Sequence, residues 1–162
     1  MQYLQIGYSV LLLVVANGAP VIAADLFKNR WKSPIDGGNL FLDGRPWLGH
    51  SKTWRGICAS FLATSLVAEL LGIGWKGGLV FASLAMAGDL MASFSKRRMK
   101  IVESGRAWFL DQLPESLLPA LLLSQSLGLS VAEAAIAVTI FTLLDIVVSP
   151  LLYRLHIRRR PY

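Results

Sequence analysis

Residues 134–153, AAIAVTIFTLLDIVVSPLLY, decide the fold of this chain because they contain a single charged side chain, Asp145. The hydrocarbon core of a bilayer is about 30 Å thick, and a helix needs about 20 mostly apolar residues to cross it. This stretch therefore predicts a membrane-spanning helix.

Four more stretches are almost free of Asp, Glu, Lys and Arg, namely residues 1–24, 57–75, 77–95 and 112–132. The other spanning structure, a closed β-barrel, needs an alternation of apolar and polar residues that is absent here. We therefore predict an all-α membrane protein with one transmembrane domain over residues 1–162. Its five helices are expected at about 3–24, 56–74, 77–95, 112–128 and 132–153.

The composition supports an integral membrane protein. Hydrophobic residues make up 54% of the 162 residues and charged residues 16%, whereas soluble domains contain about 25% charged residues. A disordered or nucleic-acid-binding chain is disfavoured despite the net charge of +6. The lone Cys58 excludes a disulfide framework within the chain.

The first apolar stretch is predicted to be a retained helix, because it lacks the basic start of a signal peptide and its apolar run is long. Asn17 lies near its inner end. Pro20 is expected to kink or end the helix there.

Basic residues set the predicted orientation. Fifteen of the 16 lysine and arginine residues lie in segments 25–56 and 96–111 and in the tail after residue 153, and Lys76 is the exception. With five spans, all three segments lie on one side, which is predicted to be cytoplasmic, with the N-terminus outside and the C-terminus inside. The two inner loops are also the long ones, so we expect a multi-pass protein of the cell membrane with its active site at the cytoplasmic face.

The first inner loop leads into the second helix through Gly49 to Gly56. A helix N-terminus offers free N–H groups and a positive dipole end, and Lys52, Arg55 and Thr53 add two charges and a hydroxyl. This combination suits a phosphate chain, although the Walker A spacing is absent. The alternative is that Ser51 or Thr53 caps the helix and the cations bind anionic lipid.

Asp89 is followed at helical spacing by Ser93, Lys96 and Arg97 on one face of the third helix. A carboxylate in the membrane costs about 2.5 to 3.5 kcal/mol on insertion scales, so Asp89 is expected to face a polar cavity. The alternative is a salt bridge to a basic residue on a neighbouring helix.

Asp111 lies at the inner end of the fourth helix. It could be an N-cap, or it could meet Asp89 and share a divalent cation. Mg²⁺ favours one or two carboxylates together with substrate phosphates. Asp145 could support that site or pair with a cation.

Several segments together resemble the CDP-archaeol synthase family, a small five-helix relative of the phosphatidate cytidylyltransferases. The matching segments are Ala16-Asn-Gly-Ala-Pro20, Pro34-Ile-Asp-Gly-Gly38, Asp43-Gly-Arg45, Gly49-x-x-Lys-Thr-Trp-Arg-Gly56, Gly88-Asp-x-x-x-Ser-Phe-x-Lys-Arg-Arg98 and Leu110-Asp-Gln-Leu113. The sequence departs from the family pattern at His50-Ser51 and over residues 99–108.

The resemblance implies a reaction in which CTP and a membrane phosphomonoester lipid, of archaetidic or phosphatidic acid type, give a CDP-lipid and pyrophosphate. Asp89 and Asp111 are then the expected Mg²⁺ ligands and, with Lys52 and Arg55, the catalytic residues. Substrate contacts are expected from Asn17, Asp36, Thr53, Gly56, Ser93, Lys96, Arg97 and Arg98.

We expect CTP, the lipid and the bilayer as partners and no nucleic acid. Whether the chain forms a homodimer is left open by the sequence. The competing interpretation is a non-enzymatic membrane assembly or transport protein, in which Asp89 and Asp145 line a path.

Overall fold

The computed structural model describes residues 2–101 and 108–154, except for the side chains of residues 2, 108–112 and 151–152. These residues form five α-helices: α1 (Gln2–Phe27), α2 (Trp54–Leu70), α3 (Trp75–Arg98), α4 (Trp108–Leu122) and α5 (Val131–Arg154). A short 3₁₀ turn, Gln125–Leu127, precedes α5. The all-helical prediction is confirmed.

Three helical segments within the described residues are long and apolar enough to cross a membrane: Tyr3–Phe27, Trp75–Arg98 and Val131–Pro150. The other two helices are shorter, since α2 has 17 residues and α4 has 15. Five helices were predicted and five are observed, but only three meet the length of a full span. The sidedness of the bundle stays a prediction.

Two helices end earlier than the sequence suggested. The predicted helix over 56–74 ends at Leu70, because the backbone turns left-handed at Gly72 (φ +75°) and again at Gly74 (φ +88°). The predicted helix over 112–128 ends at Leu122, and a left-handed Gly128 (φ +68°) closes the 3₁₀ turn that follows.

Pro20 does not end the first helix, which continues to Phe27. Proline has no N–H, so it cannot donate to the carbonyl of Ala16 one turn earlier. The Ser60 hydroxyl of α2 donates to that carbonyl at 2.8 Å. A side chain of the neighbouring helix thus replaces the missing hydrogen bond, which is how helices in lipid tolerate proline.

The helices pack around a buried apolar cluster of Leu12, Leu13, Ala68, Phe81 and Phe141. Helices α2 and α3 approach closely, because a Cβ at Gly78 would lie 2.6 Å from the Ala68 Cβ. Small residues at such crossings let helices in lipid gain dispersion contacts that large side chains would prevent.

The crossing of α3 and α4 positions the candidate site. A Cβ at Gly88 would overlap the carbonyl of Pro114 and lie 2.7 Å from the Glu115 Cα, so the two backbones touch here. Asp89 is the next residue on α3, and Asp111 lies one turn before Pro114 on α4. This contact brings the two carboxylate-bearing segments side by side.

Candidate functional site

The first loop, residues 28–53, folds back onto the start of α2. The Ile35 N–H donates to the Lys52 carbonyl at 2.9 Å, and the Trp54 N–H donates to the Ser33 carbonyl at 3.2 Å. These bonds flank an isolated antiparallel bridge between Pro34 and Thr53. The backbone of Lys52 is therefore held directly before the N-terminus of α2.

Asp36 organises this loop. Its carboxylate accepts hydrogen bonds at 3.0 Å from the backbone N–H groups of Leu48, Gly49 and Gly38. Burial alone would raise the pKa of Asp36, but the three N–H donors stabilise the charged form and together bring that pKa below its ordinary value of 3.8. Its described contacts lie within the loop, and its predicted role in substrate binding stays a prediction.

The middle of the loop is a hairpin, residues 40–47, closed by an antiparallel bridge between Leu40 and Pro46. Its Phe41 and Trp47 rings lie 5.0 Å apart and pack against Phe94 of α3 at 5.4 and 6.0 Å between centroids. This aromatic cluster attaches the hairpin to the last turns of α3.

Arg98 also holds the hairpin against α3. Its guanidinium lies over the Phe41 and Phe94 rings at 4.6 and 4.9 Å from their centroids. It also forms an ion pair with Asp43 at 2.5 Å and donates to the Pro46 carbonyl at 2.6 Å. In this structure the side chain predicted to bind substrate is engaged by the hairpin.

The centre of the candidate site is an ion pair between Lys52 and Asp89. The Lys52 Nζ donates to both carboxylate oxygens of Asp89 at 2.6 Å, and each side chain is 22% exposed. The sequence left open a salt bridge from Asp89 to a basic residue on a neighbouring helix. Asp89 does form a salt bridge, but its partner lies in the loop before α2. The pair joins this loop to the C-terminal half of α3, and it places a cation and a carboxylate together in a half-buried position.

Two more predicted residues lie on the Asp89 face of α3, at successive turns. Ser93 is 3% exposed and Arg97 is 8% exposed. Arg97 donates from Nη1 to the Ile101 carbonyl at 3.0 Å, while its buried Nε has no hydrogen-bond partner among the described residues. Asp89, Ser93 and Arg97 thus form a polar stripe that is half-buried at Asp89 and buried at the other two residues. Lys96 is half-buried and has interactions of its own.

The residues at the start of α2 are engaged locally. Thr53 is the N-cap of α2, and its Oγ1 accepts from the Gly56 N–H at 3.3 Å, so the capping alternative is observed. Arg55 donates to the carbonyls of Lys28 and Arg30 at 3.0 and 2.7 Å. These contacts tie the end of α1 to the start of α2.

Asn17 of α1 is half-buried and donates to the carbonyl of Leu13, one turn earlier, at 3.0 Å. Its helix reaches α2 close by, since a Cβ at Gly56 would lie 3.4 Å from the Pro20 Cβ. Asn17 is therefore on the helix that borders the start of α2, and its predicted contact with substrate stays a prediction.

The predicted magnesium ligands are Asp89 and Asp111. The side chain of Asp111 lies outside the described residues, and only its place in the first turn of α4 is given. The described residues contain no group of three or more His, Cys, Asp or Glu side chains that could cage a metal. Carboxylate oxygens nevertheless fit Mg²⁺, which is usually held by one or two carboxylates together with substrate phosphates.

The structure thus brings Lys52, Asp89, Ser93 and Arg97 to one region and places Arg55 and Arg98 in contacts with the loop. Sequence reasoning missed the partners of Arg98, since it used Asp43-Gly-Arg45 only as a segment that carries the family resemblance. Arg154 ends α5, and the other basic residues of the C-terminal tail, Arg158, Arg159 and Arg160, lie outside the described residues.

Comparisons with known proteins point to one family. The family model described as "CarS-like: CDP-archaeol synthase" matches residues 4–162. Curated relatives named CDP-archaeol synthase include one from Thermofilum pendens, 37% identical over 82% of this chain and 68% of its own length. Another, from Sulfurisphaera tokodaii, is 36% identical over 92% of this chain and 90% of its own length.

A third relative of the same name, from Hyperthermus butylicus, is 42% identical over 62% of this chain and 60% of its own length. A solved structure is also similar, with a TM-score of 0.73 and 33% identity, covering 87% of this chain and 90% of that one. Its description is "Structural insight into an intramembrane enzyme for archaeal membrane lipids biosynthesis".

Proposed function

Because this chain belongs to the CDP-archaeol synthase family and is a transferase of membrane lipid biosynthesis, we propose its reaction in detail. CTP and a membrane lipid that ends in a phosphate monoester, of archaetidic or phosphatidic acid type, give a CDP-lipid and pyrophosphate. We place the site at the basic end of the bundle, which we take to face the cytoplasm from the cell membrane.

The ion pair between Lys52 and Asp89 carries this proposal. The lysine ammonium suits phosphate groups, and the carboxylate suits a metal ion. The Lys52 Nζ and the Asp89 carboxylate lie 2.6 Å apart in a half-buried position. Both residues belong to the motifs that carry the family resemblance. An ammonium group that donates two of its three N–H groups to a carboxylate but is still partly exposed can turn its third toward an incoming triphosphate.

Charge is the main obstacle to the reaction, because both reactants are anions. A phosphate oxygen of the lipid attacks the α-phosphorus of CTP, a new P–O bond forms, and the bond to the departing pyrophosphate breaks. The attacking group needs no general base, since a phosphate monoester is mostly ionised at neutral pH. Catalysis then rests on placing the reactants and neutralising their charge.

Lys52 is the residue we assign to the triphosphate of CTP. Asp89 and Asp111 would hold Mg²⁺, which supplies positive charge to the phosphate oxygens when it is bound with the nucleotide. We assign Asp36 an indirect role, because its carboxylate holds the backbone that precedes Lys52.

Arg97 is the residue we assign to the lipid phosphate. It lies two turns from Asp89 on the same face of α3, and its guanidinium is buried with an unpartnered Nε among the described residues. Ser93 lies between the two and offers a hydroxyl. The hydrocarbon chains of the lipid can stay among the helices while its phosphate reaches this stripe.

The non-enzymatic alternative finds no support, because the relatives are named as a transferase. Within the described residues, Asp145 accepts a hydrogen bond from the Ser149 hydroxyl at 3.1 Å on its own helix.

A product assay tests the proposal. Purified protein in lipid nanodiscs is given radiolabelled CTP, Mg²⁺ and a panel of phosphatidic and archaetidic acids, and the products are identified by mass spectrometry. We expect a CDP-lipid and pyrophosphate from at least one lipid. Absence of a CDP-lipid with every member of the panel, from folded protein, would overturn the proposal.

The carboxylates are tested in the same assay. Asp89→Asn and Asp111→Asn should each abolish Mg²⁺-dependent turnover, whereas Asp25→Asn, which changes an exposed carboxylate at the end of α1, should not. Full activity in either of the first two variants would remove that carboxylate from the site.

A further inference from the structure

The hairpin, residues 40–47, has an unusual distribution of polarity. Leu42 stands at the tip of its turn and is 96% exposed, and Leu40 is 61% exposed. The turn itself is well formed, since the Gly44 N–H donates to the Phe41 carbonyl at 2.9 Å. Turn tips that face water favour Gly, Asn, Asp and Ser, so two outward leucines need an explanation.

The charged side chains of the hairpin turn the other way. Asp43 pairs with Arg98 of α3, and Arg45 donates to the carbonyls of Arg97 and Arg98 at 3.2 and 3.4 Å. These charged groups are thus paired with α3, although Asp43 keeps 38% of its side chain exposed, while the leucines point away from the protein. This is the reverse of the arrangement expected for a loop in water, and it fits an apolar surrounding.

The position of the hairpin along α3 shows what that surrounding is. The hairpin packs sideways against Phe94 and Arg98, which lie in the last turns of the apolar segment Trp75–Arg98. A loop that extended into the aqueous phase would instead lie beyond the end of the helix. The hairpin therefore lies beside the basic last turn of α3, the level at which a spanning helix would reach the lipid head groups.

Neighbouring residues match a lipid surface as well. Lys28, Arg30 and Lys32 are all exposed at the start of the same loop. Trp31 is 69% exposed, and its ring lies 5.2 Å from Phe27, the last residue of α1. Exposed cations attract anionic head groups, and tryptophan favours the membrane interface.

We propose that the hairpin, residues 40–47, is a membrane-interface anchor whose Leu40 and Leu42 enter the leaflet at the basic end of the bundle. The Arg98 contacts hold the hairpin on α3, and the hairpin in turn fixes the height of the loop that carries Lys52. If the proposed function holds, this anchor places the nucleotide site level with the phosphate of a lipid in that leaflet.

Fluorescence quenching tests the anchor independently of activity. The exposed Cys58 is first replaced by alanine, and an environment-sensitive fluorophore is attached to Leu42→Cys. The protein is reconstituted in vesicles of equal parts phosphatidylcholine and phosphatidylglycerol, with nitroxide-bearing lipid or with iodide in the water. We expect quenching by the lipid-borne nitroxide and protection from iodide. Asn39→Cys, an exposed polar position at the base of the hairpin, should show the opposite.

Two outcomes would overturn the proposal. Quenching at position 42 by iodide but not by nitroxide would place the leucine in water. Protection from both quenchers would place it against protein, such as a second copy of this chain.

A kinetic measurement adds the functional consequence. Leu42→Asp should raise KM for the lipid about tenfold, which corresponds to about 1.4 kcal/mol, because a charged side chain disfavours the leaflet, and should leave KM for CTP unchanged. Leu42→Met should restore the wild-type value. An unchanged KM for the lipid in Leu42→Asp would show that the anchor does not affect catalysis. If the fluorophore at position 42 is quenched as expected but the protein forms no CDP-lipid, the proposed function is refuted while the anchor stands.

Discussion

Asp36 shows how one carboxylate can set the shape of a loop. Its pKa is lowered in the folded protein, so its contribution to stability is fully present above the ordinary carboxyl value of 3.8 and is lost as the pH falls through the lower folded value. The loop around it should therefore keep its structure from neutral pH down to that ordinary value.

Hydrogen–deuterium exchange checks this prediction for the peptide that contains Leu48 and Gly49. Its protection should persist until the pH is below 3.8, and Asp36→Ala should remove the protection at every pH. Asp25→Asn serves as the control. Wild-type protection that disappears well above pH 3.8 would contradict the role given to the Asp36 carboxylate.

The contacts of Arg98 lead to a second prediction about a single side chain. Arg98→Lys keeps the charge but loses the planar guanidinium, which contacts the Phe41 and Phe94 rings while it donates to Asp43 and to the Pro46 carbonyl. We expect faster exchange in residues 40–47 and a loss of about 1 to 3 kcal/mol of stability.

The matched control for Arg98→Lys is Lys100→Gln, at an exposed position after the same helix, which should change neither quantity. Unaltered exchange of the hairpin together with a weakened affinity for CTP would show that Arg98 binds substrate and does not hold the loop.

At the level of elements, the contact between α1 and α2 depends on one hydroxyl. Ser60→Ala should leave the Ala16 carbonyl buried without a partner and cost about 1 to 3 kcal/mol in the free energy of unfolding. Pro20→Ala would restore an N–H to α1 and lower that cost. Thermal unfolding of both single variants and the double variant measures the coupling, and a Ser60→Ala cost that is the same in both backgrounds would contradict this account.

The crossing of α3 and α4 is equally sensitive. Gly88→Ala would place a Cβ on the Pro114 backbone, so the helices must separate. We expect a loss of about 1 to 3 kcal/mol and a fall in turnover, because Asp89 and the segment of Asp111 move apart. Gly7→Ala is the matched control, since an added Cβ there would meet no described residue within 4 Å beyond its chain neighbours and the backbone of its own helix. Normal turnover in Gly88→Ala would show that this contact does not position the site.

Across the whole molecule, the sequence predicts features that depend on local composition but not the contacts between distant residues. Five helices follow from the lack of charge, because apolar length is a local property. A salt bridge was one of two alternatives for Asp89, but Lys52 of the first loop was not identified as its partner, since helical spacing shows which face a carboxylate occupies but not what it contacts. The contact between Arg98 and Asp43, 55 residues apart, depends on the path of the loop and has no local signal.

The central claim is that Lys52 and Asp89 form the nucleotide site, and a binding measurement tests it most directly. CTP is titrated with Mg²⁺ into purified wild-type protein, Lys52→Met, Asp89→Asn and Lys100→Gln, and the heat of binding is recorded. We expect the wild type and Lys100→Gln to bind alike and both site variants to bind at least about tenfold more weakly, because a hydrogen bond to a charged group is worth about 1.5 to 3 kcal/mol. Wild-type affinity in Lys52→Met and Asp89→Asn would contradict the claim.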